Sequence, residues 1–282
     1  MERSRFLMND GGVRARPAVA LRKAVEPARV CEAAAYGYLH ILGSFWPYST
    51  SSFESRLVKC FKECVPTHRN EPCVSQIARF YADLITRRLG DVGFNWVVRV
   101  LSSAETKPED SRPLSLLADI LCARAGARSL THIFFKSESR PPMRSVKTMS
   151  GPAALRMRVN YVLQDLFIKP CEMGGSVLLL DDVGNTGATM RVYSHALKEF
   201  AGAERVIGVN LAATRFSGGK DGLGNLRLDT TGLGDYPVLR PVWVDDDGRI
   251  HSSKDCSLAR GKLHCEVLVV AERAGEWCPE RK

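Results

Sequence analysis

The sequence predicts an α/β protein built on a parallel sheet with helices packed against it. Two observations carry that expectation. Short apolar runs rich in β-branched and aromatic residues alternate with stretches whose apolar residues recur every three or four positions. The alternation holds from about residue 94 to residue 213, the order that right-handed crossovers between parallel strands require.

The elements follow in order. Residues 1 to about 30 mix Arg, Ala, Pro and Gly without periodicity, so residues 1–40 are expected to be an N-terminal arm, flexible or loosely docked as a helix. Between 52 and 89, Phe53, Leu57 and Phe61, then Ile77, Phe80, Tyr81, Leu84 and Ile85, predict two amphipathic helices broken near Pro66 and Pro72. They form a helical cover, 41–90, on a core spanning 41–215.

Within 91–215, residues 94–101 read as a strand that runs into the polar loop 102–112. A helix begins at Pro113 with Leu114, Leu117, Ala118, Leu121 and Cys122 on one face, and Gly126 ends it. Residues 131–135 suit a second buried strand. The basic, Pro-interrupted stretch from Lys136 to Arg158 is expected to be a mobile loop. Residues 176–180 predict a third strand, 188–200 a helix with Val192, Ala196, Leu197 and Phe200 inward, and 205–213 a fourth strand. Residues 216–282 suggest a β-rich C-terminal extension.

Composition narrows the function classes. With 45% hydrophobic and 25% charged residues among 282, the chain is globular in composition, and no apolar run nears the ~20 residues of a membrane helix. No membrane partner is expected. The N-terminal MERSRFLMNDGG lacks a secretory pattern, which predicts a cytoplasmic protein whose nine cysteines are thiols. The net charge of +9 favours polyanionic partners, either nucleic acid or a phosphorylated substrate.

One segment carries chemistry, VLLLDDVGNTGATM at 177–190. A buried strand ends in Asp181 and Asp182, and Gly184-Asn-Thr-Gly187 leads into a helix. Small residues let successive backbone N–H groups converge on an anion at the positive end of that helix, and Thr186 and Thr189 add hydroxyl donors. Carboxylates just upstream can accept hydrogen bonds from a sugar cis-diol. A phosphate sink beside a diol acceptor is what ribose 5-phosphate requires. Neither a Walker A sequence nor GxGxxG occurs here.

This segment resembles the PRPP-binding motif of type I phosphoribosyltransferases, and the chain order resembles their ComF-like branch over about residues 94–215. The resemblance implies a Rossmann-like parallel sheet of the type I phosphoribosyltransferase fold, with N-terminal helical and C-terminal β-rich extensions. It implies a transferase, or a hydrolase of the same intermediate, acting at ribose C1 of PRPP or another ribose 5-phosphate compound, with an acceptor not specified.

PRPP would be bound by Ser102, Ser103, Asp181, Asp182, Gly184, Asn185, Thr186, Gly187, Ala188 and Thr189, with Lys107 near the pyrophosphate. Asp181 and Asp182 would also serve Mg2+ indirectly, through ribose hydroxyls or water. Lys136, Arg140 and Arg144 are the expected catalytic cations on the leaving pyrophosphate, with Lys147, Arg156 and Arg158 behind them. A homodimer is expected by the same resemblance.

Two features depart from the family. Asn185 stands where purine-type members carry a proton-exchanging aspartate, and an amide cannot do that work. ComF-like chains begin with a zinc-binding cysteine cluster, whereas Cys60, Cys64, His68 and Cys73 do not form two CxxC-like pairs. Neither they nor His251, Cys256, His264, Cys265 and Cys278 have standard spacing, so zinc is not expected. Trp46 and Tyr48 are expected in the core rather than stacked on a base. Two alternatives stand beside the transferase: a nucleic-acid-associated ComF-like regulator using the PRPP site as a sensor, and a nucleotide-targeting toxin of a phage-defence system such as a retron.

Overall fold

A computed structural model of the chain describes residues 16–32, 38–47, 52–63, 71–141, 152–215, 226–236, 241–247, 249–251, 255–262 and 264–267. The N-terminal part holds β1 (Val19–Ala20), α1 (Leu21–Ala24), α2 (Pro27–Glu32), β2 (Tyr38–Ile41), β3 (Ser44–Phe45), α3 (Phe53–Glu63) and α4 (Glu71–Leu89). The middle holds β4 (Trp96–Arg99), α5 (Pro113–Ala125), β5 (Arg128–Ser129), β6 (Phe134–Lys136), α6 (Pro152–Leu163) and β7 (Leu166–Ile168). Then come β8 (Ser176–Gly184), α7 (Ala188–Ala201), β9 (Arg205–Thr214), β10 (Pro241–Val244), β11 (Ile250–His251) and β12 (His264–Val267).

The chain is a mixed α/β protein around a parallel sheet in the order β2-β9-β8-β4-β5, with β3 also paired to β9. Both faces are covered, which is why β8 is apolar at consecutive positions rather than alternate ones. Leu178 and Leu180 pack with Leu57, Phe61, Ile77, Tyr81 and Leu117 of α3, α4 and α5. Val177 and Leu179 pack on the other face with Val159, Val162, Val192 and Leu197 of α6 and α7.

Four expectations change. The strand expected at 131–135 does not join the main sheet: Arg128–Ser129 takes the edge position, Thr131–Ile133 is a 3-10 turn, and β6 pairs antiparallel with β7, which also pairs β1. The physical reason is local. Thr131 Oγ1 accepts the Arg99 N–H at 3.0 Å, so a side chain ends the ladder where another strand residue would continue it.

The C-terminal part of the expected 136–158 loop belongs to helix α6. Pro152 suits a first helical turn, and Ala154, Arg158 and Val162 at spacings of four share its buried face. β8 runs four residues past Leu180, because β9 pairs Asn210 with Asp181 and Ala213 with Gly184. β2 and β3 are strands where none was foreseen; they extend the sheet beyond β9.

At the N-terminus, Leu21, Val25 and Val30 are buried in the core cluster of α6 and α7, and Arg191 of α7 donates to the Cys31 carbonyl at 3.1 Å. Residues 1–15 of the expected arm lie outside the described residues. The β-rich C-terminal extension is a separate antiparallel sheet, β11-β10-β12. Its turn is organised by Asp245, whose Oδ1 accepts the N–H of Asp247 at 3.1 Å and of Arg249 at 2.9 Å. The buried carboxylate also takes His251 Nε2 at 2.9 Å.

Candidate functional site

β8 delivers Asp181 and Asp182 to the carboxyl end of the parallel sheet, the end at which ligands of open α/β sheets bind. The Asp182 N–H donates to Asp181 Oδ1 at 2.9 Å, and the Val183 N–H to Asp182 Oδ1 at 2.6 Å. Asp181 is 8% exposed. Burial first, then the neighbouring Asp182 charge, push its carboxyl up to about 7, against the pull of Lys62 and of the Asp182 N–H. Lys62, from the end of α3, places its ammonium on Asp182 at 2.9 Å.

Two adjacent oxygen donors whose mutual repulsion raises a pKa fit a hard divalent cation such as Mg2+, whose charge would relieve that repulsion.

Past the acidic pair the chain turns tightly. At Gly184, the last residue of β8 before the turn, an added Cβ would meet Asn210 Nδ2 at 2.1 Å, so glycine is the residue that fits against β9. Asn185 is exposed, Thr186 and Thr189 are half-buried, and Ala188 is buried as α7 begins. Gly187, at φ 76°, occupies the N-cap in the left-handed region that glycine adopts readily. The first turn of α7 carries no acidic residue. The positive end of α7 faces the turn.

The loop after β4 stands beside this turn, since the Val100 N–H donates to the Leu180 carbonyl at 2.9 Å. A buried ion pair organises it. Arg99 Nη2 meets Glu105 Oε1 at 2.6 Å and Nη1 meets Oε2 at 3.0 Å, with Arg99 Nε on Ser115 Oγ at 2.7 Å. Burial works against the Glu105 carboxylate, but Arg99 and the N–H groups of Ser102 and Glu109 hold its pKa below the ordinary value. Ser102 is exposed and Ser103 half-buried, and the Leu101 N–H donates to Tyr193 Oη at 3.1 Å.

Of the expected catalytic cations, Lys136 stands in a strand, whereas Arg140 lies in the irregular segment that follows it. Lys136 is the last residue of β6, 4% exposed, with Nζ on the carbonyls of Ser102 at 2.5 Å and Ser103 at 3.1 Å. Burial, then Arg140, push its ammonium down to about 8. Arg140 Nη1 pairs with Asp165 Oδ1 at 2.9 Å, and its guanidinium lies 4.8 Å from the Tyr161 ring centroid. Arg156 is exposed on α6, and Arg158 is buried there, its pKa lowered by burial. Lys107 is exposed; Arg144 and Lys147 lie outside the described residues.

Among the described residues no group of three His, Cys, Asp or Glu side chains could hold a metal. Cys64, His68, Tyr48 and Cys278 lie outside those residues, as do the side chains of Cys73, His264 and Cys265. Trp46, the residue after β3, is half-buried, and its backbone N–H donates to Ser55 Oγ of α3 at 2.8 Å.

Sequence reasoning missed Lys62, Asn210, Tyr193 and the Arg99–Glu105 pair. Asn210 interrupts an otherwise apolar strand and Arg99 ends another, and a polar residue inside a buried strand is the available signal. Lys62 gave none, being an ordinary lysine on an amphipathic helix.

No known protein family matches the sequence, and no curated protein does. Three solved adenine phosphoribosyltransferases are similar in part. One is 13% identical with a TM-score of 0.33, over 52% of this chain and 72% of its own. That of Saccharomyces cerevisiae, complexed with an imino-altritol bisphosphate and adenine, is 14% identical with a TM-score of 0.32, over 52% and 71%. That of Thermoanaerobacter pseudethanolicus is 12% identical with a TM-score of 0.31, over 50% and 82%. The likeness carries no argument about substrate or reaction.

Proposed function

We propose that the protein binds PRPP, or another ribose 5-phosphate compound, together with Mg2+, and transfers or cleaves at ribose C1 as a phosphoribosyltransferase-like enzyme. The observation that supports this most is the sequence of groups along one strand end: two carboxylates, a glycine pressed against Asn210, and the glycine-led N-terminus of α7. A 5-phosphate would take the N–H groups of the turn and the first turn of α7, with Thr186 and Thr189 as side-chain donors. The ribose diol would donate to Asp181 and Asp182.

Bound Mg2+ would neutralise negative charge on the pyrophosphate. The protein's own contribution is to hold the phosphate, orient the diol and present donors to the pyrophosphate before reaction, an electrostatic preorganisation. Asn185, exposed beside the turn, can orient an acceptor by hydrogen bonding but not exchange a proton with it. Assignment to the ComF-like branch belongs to the same proposal and rests on chain order.

The test is thermal. PRPP with Mg2+ is expected to raise the melting temperature, and Asp181→Asn combined with Asp182→Asn to abolish the rise. A wild-type protein whose melting is unmoved by PRPP and Mg2+ would refute the reading.

A further inference from the structure

The loop after β4 is gripped from inside the fold. Lys136 Nζ draws in two successive carbonyls, Ser102 at 2.5 Å and Ser103 at 3.1 Å, and the Arg140 N–H adds a third bond, to the Ser103 carbonyl at 3.0 Å. The Ser102 N–H is taken by Glu105 Oε2 at 2.7 Å, and the Glu105 N–H donates back to the Ser102 carbonyl at 3.1 Å. Glu105 is itself locked to Arg99.

Peptide planarity converts these contacts into a direction. In a planar trans peptide the C=O and N–H point to opposite sides. Pulling the carbonyls of Ser102 and Ser103 toward Lys136 turns the next N–H groups, of Ser103 and Ala104, away from it. Successive N–H groups turned to one side make an anion-binding concavity. The same pull withdraws two carbonyl oxygens that would otherwise repel an anion there. Lys136, buried in β6 behind the loop, is engaged with carbonyls and stands on their far side.

We propose that Lys136 is a positioning residue: from strand β6 it aims the N–H groups of Ser103 and Ala104 at a pyrophosphate group without contacting that group. This rests on the ribose-phosphate reading above. It replaces the expectation that Lys136 reaches the leaving group on a mobile loop.

The experiment compares two probes by calorimetry at fixed Mg2+: inorganic pyrophosphate, which engages the β4 loop, and ribose 5-phosphate, which engages the turn before α7. Lys136→Met is expected to weaken pyrophosphate binding by about tenfold or more, the scale of a lost charge-assisted hydrogen bond, and to leave ribose 5-phosphate within about twofold. Glu105→Gln is expected to show the same split, because the buried Glu105 organises the loop but, as an anion, makes no favourable contact with pyrophosphate. Lys136→Gln, which keeps an N–H donor for the carbonyls, carries the comparison if Lys136→Met does not fold.

Lys136→Met losing pyrophosphate while Glu105→Gln keeps it would make Lys136 a direct ligand and overturn the proposal. Unchanged pyrophosphate binding, or an equal loss of both probes, would overturn it too. A wild-type protein that binds ribose 5-phosphate but not pyrophosphate refutes the role of Lys136 alone; one that binds neither refutes the underlying reading as well.

Discussion

Lys62 Nζ lies 3.0 Å from Oδ1 and 2.9 Å from Oδ2 of Asp182, so a side chain from the helical cover engages both oxygens that a sugar diol would need. Lys62 is half exposed, and such pairs contribute only about 0–1 kcal/mol. Lys62→Met is therefore expected to change ligand-free stability by less than about 1 kcal/mol in urea unfolding. Releasing Asp182 should tighten PRPP binding at pH 8 by up to about fivefold, the same energy expressed as affinity. Calorimetry on the variant checks this, and a weaker complex would mean that Lys62 itself contacts the ligand.

Asp181 gives the site a pH dependence with a defined sign. Its carboxyl, held at about 7 in the folded chain against ~3.9 when exposed, binds a proton more tightly folded than unfolded. Its contribution to stability is full below about pH 4 and is lost as pH rises through about 7. Under the proposed function ligand binding would run the other way, since the ionised carboxylate is the form that would accept sugar hydroxyls and hold a cation. Affinity for PRPP with Mg2+ should rise with pH up to about 7 and level off above it. Asp181→Asn should flatten the stability trend between about pH 4 and 7 and remove the rise in affinity, readable as melting curves and titrations across that range.

The buried Arg99–Glu105 pair is expected to be costly to break. Glu105→Ala strands a guanidinium that is 2% exposed, and removing one partner of such a pair costs roughly 3–5 kcal/mol. Arg112→Ala provides the contrast. It breaks the part-exposed pair with Glu109 at the other end of the loop and should cost less than about 1 kcal/mol. Chemical denaturation of both variants measures the difference.

How far the sequence could be read depended on whether a residue's neighbours were near it in the chain. The helix at 113–125 and its Gly126 end were legible because Pro, periodicity and a left-handed glycine are local signals. So was the run from Val177 into the helix at Ala188. The fate of residues 131–136 was not, because Thr131 leaves the main sheet by accepting the N–H of Arg99, 32 positions earlier. Lys136 reads as a loop cation by composition. Only the pairing of Phe134–Lys136 with Leu166–Ile168 puts it inside a strand. Composition locates charge, while the role of a charge is set by partners far away in sequence.

Gly184 and Asn210 offer the sharpest test of the turn. A Cβ on Gly184 would stand 2.1 Å from Asn210 Nδ2 and 3.0 Å from its Cγ, and Asn210 is buried, so it has no open space into which to retreat. Gly184→Ala is therefore expected to destabilise the chain by about 1–3 kcal/mol, the usual cost of overpacking. It should also weaken ribose 5-phosphate, because the turn that would hold the phosphate is displaced. Asn210→Ala removes the obstructing amide. If the clash is the cause, the double variant should be more stable than the sum of the single changes allows, by about 0.5–3 kcal/mol, the range of coupling between residues in contact. Urea unfolding of the four proteins gives that coupling directly, and strict additivity would show that Gly184 is required for another reason.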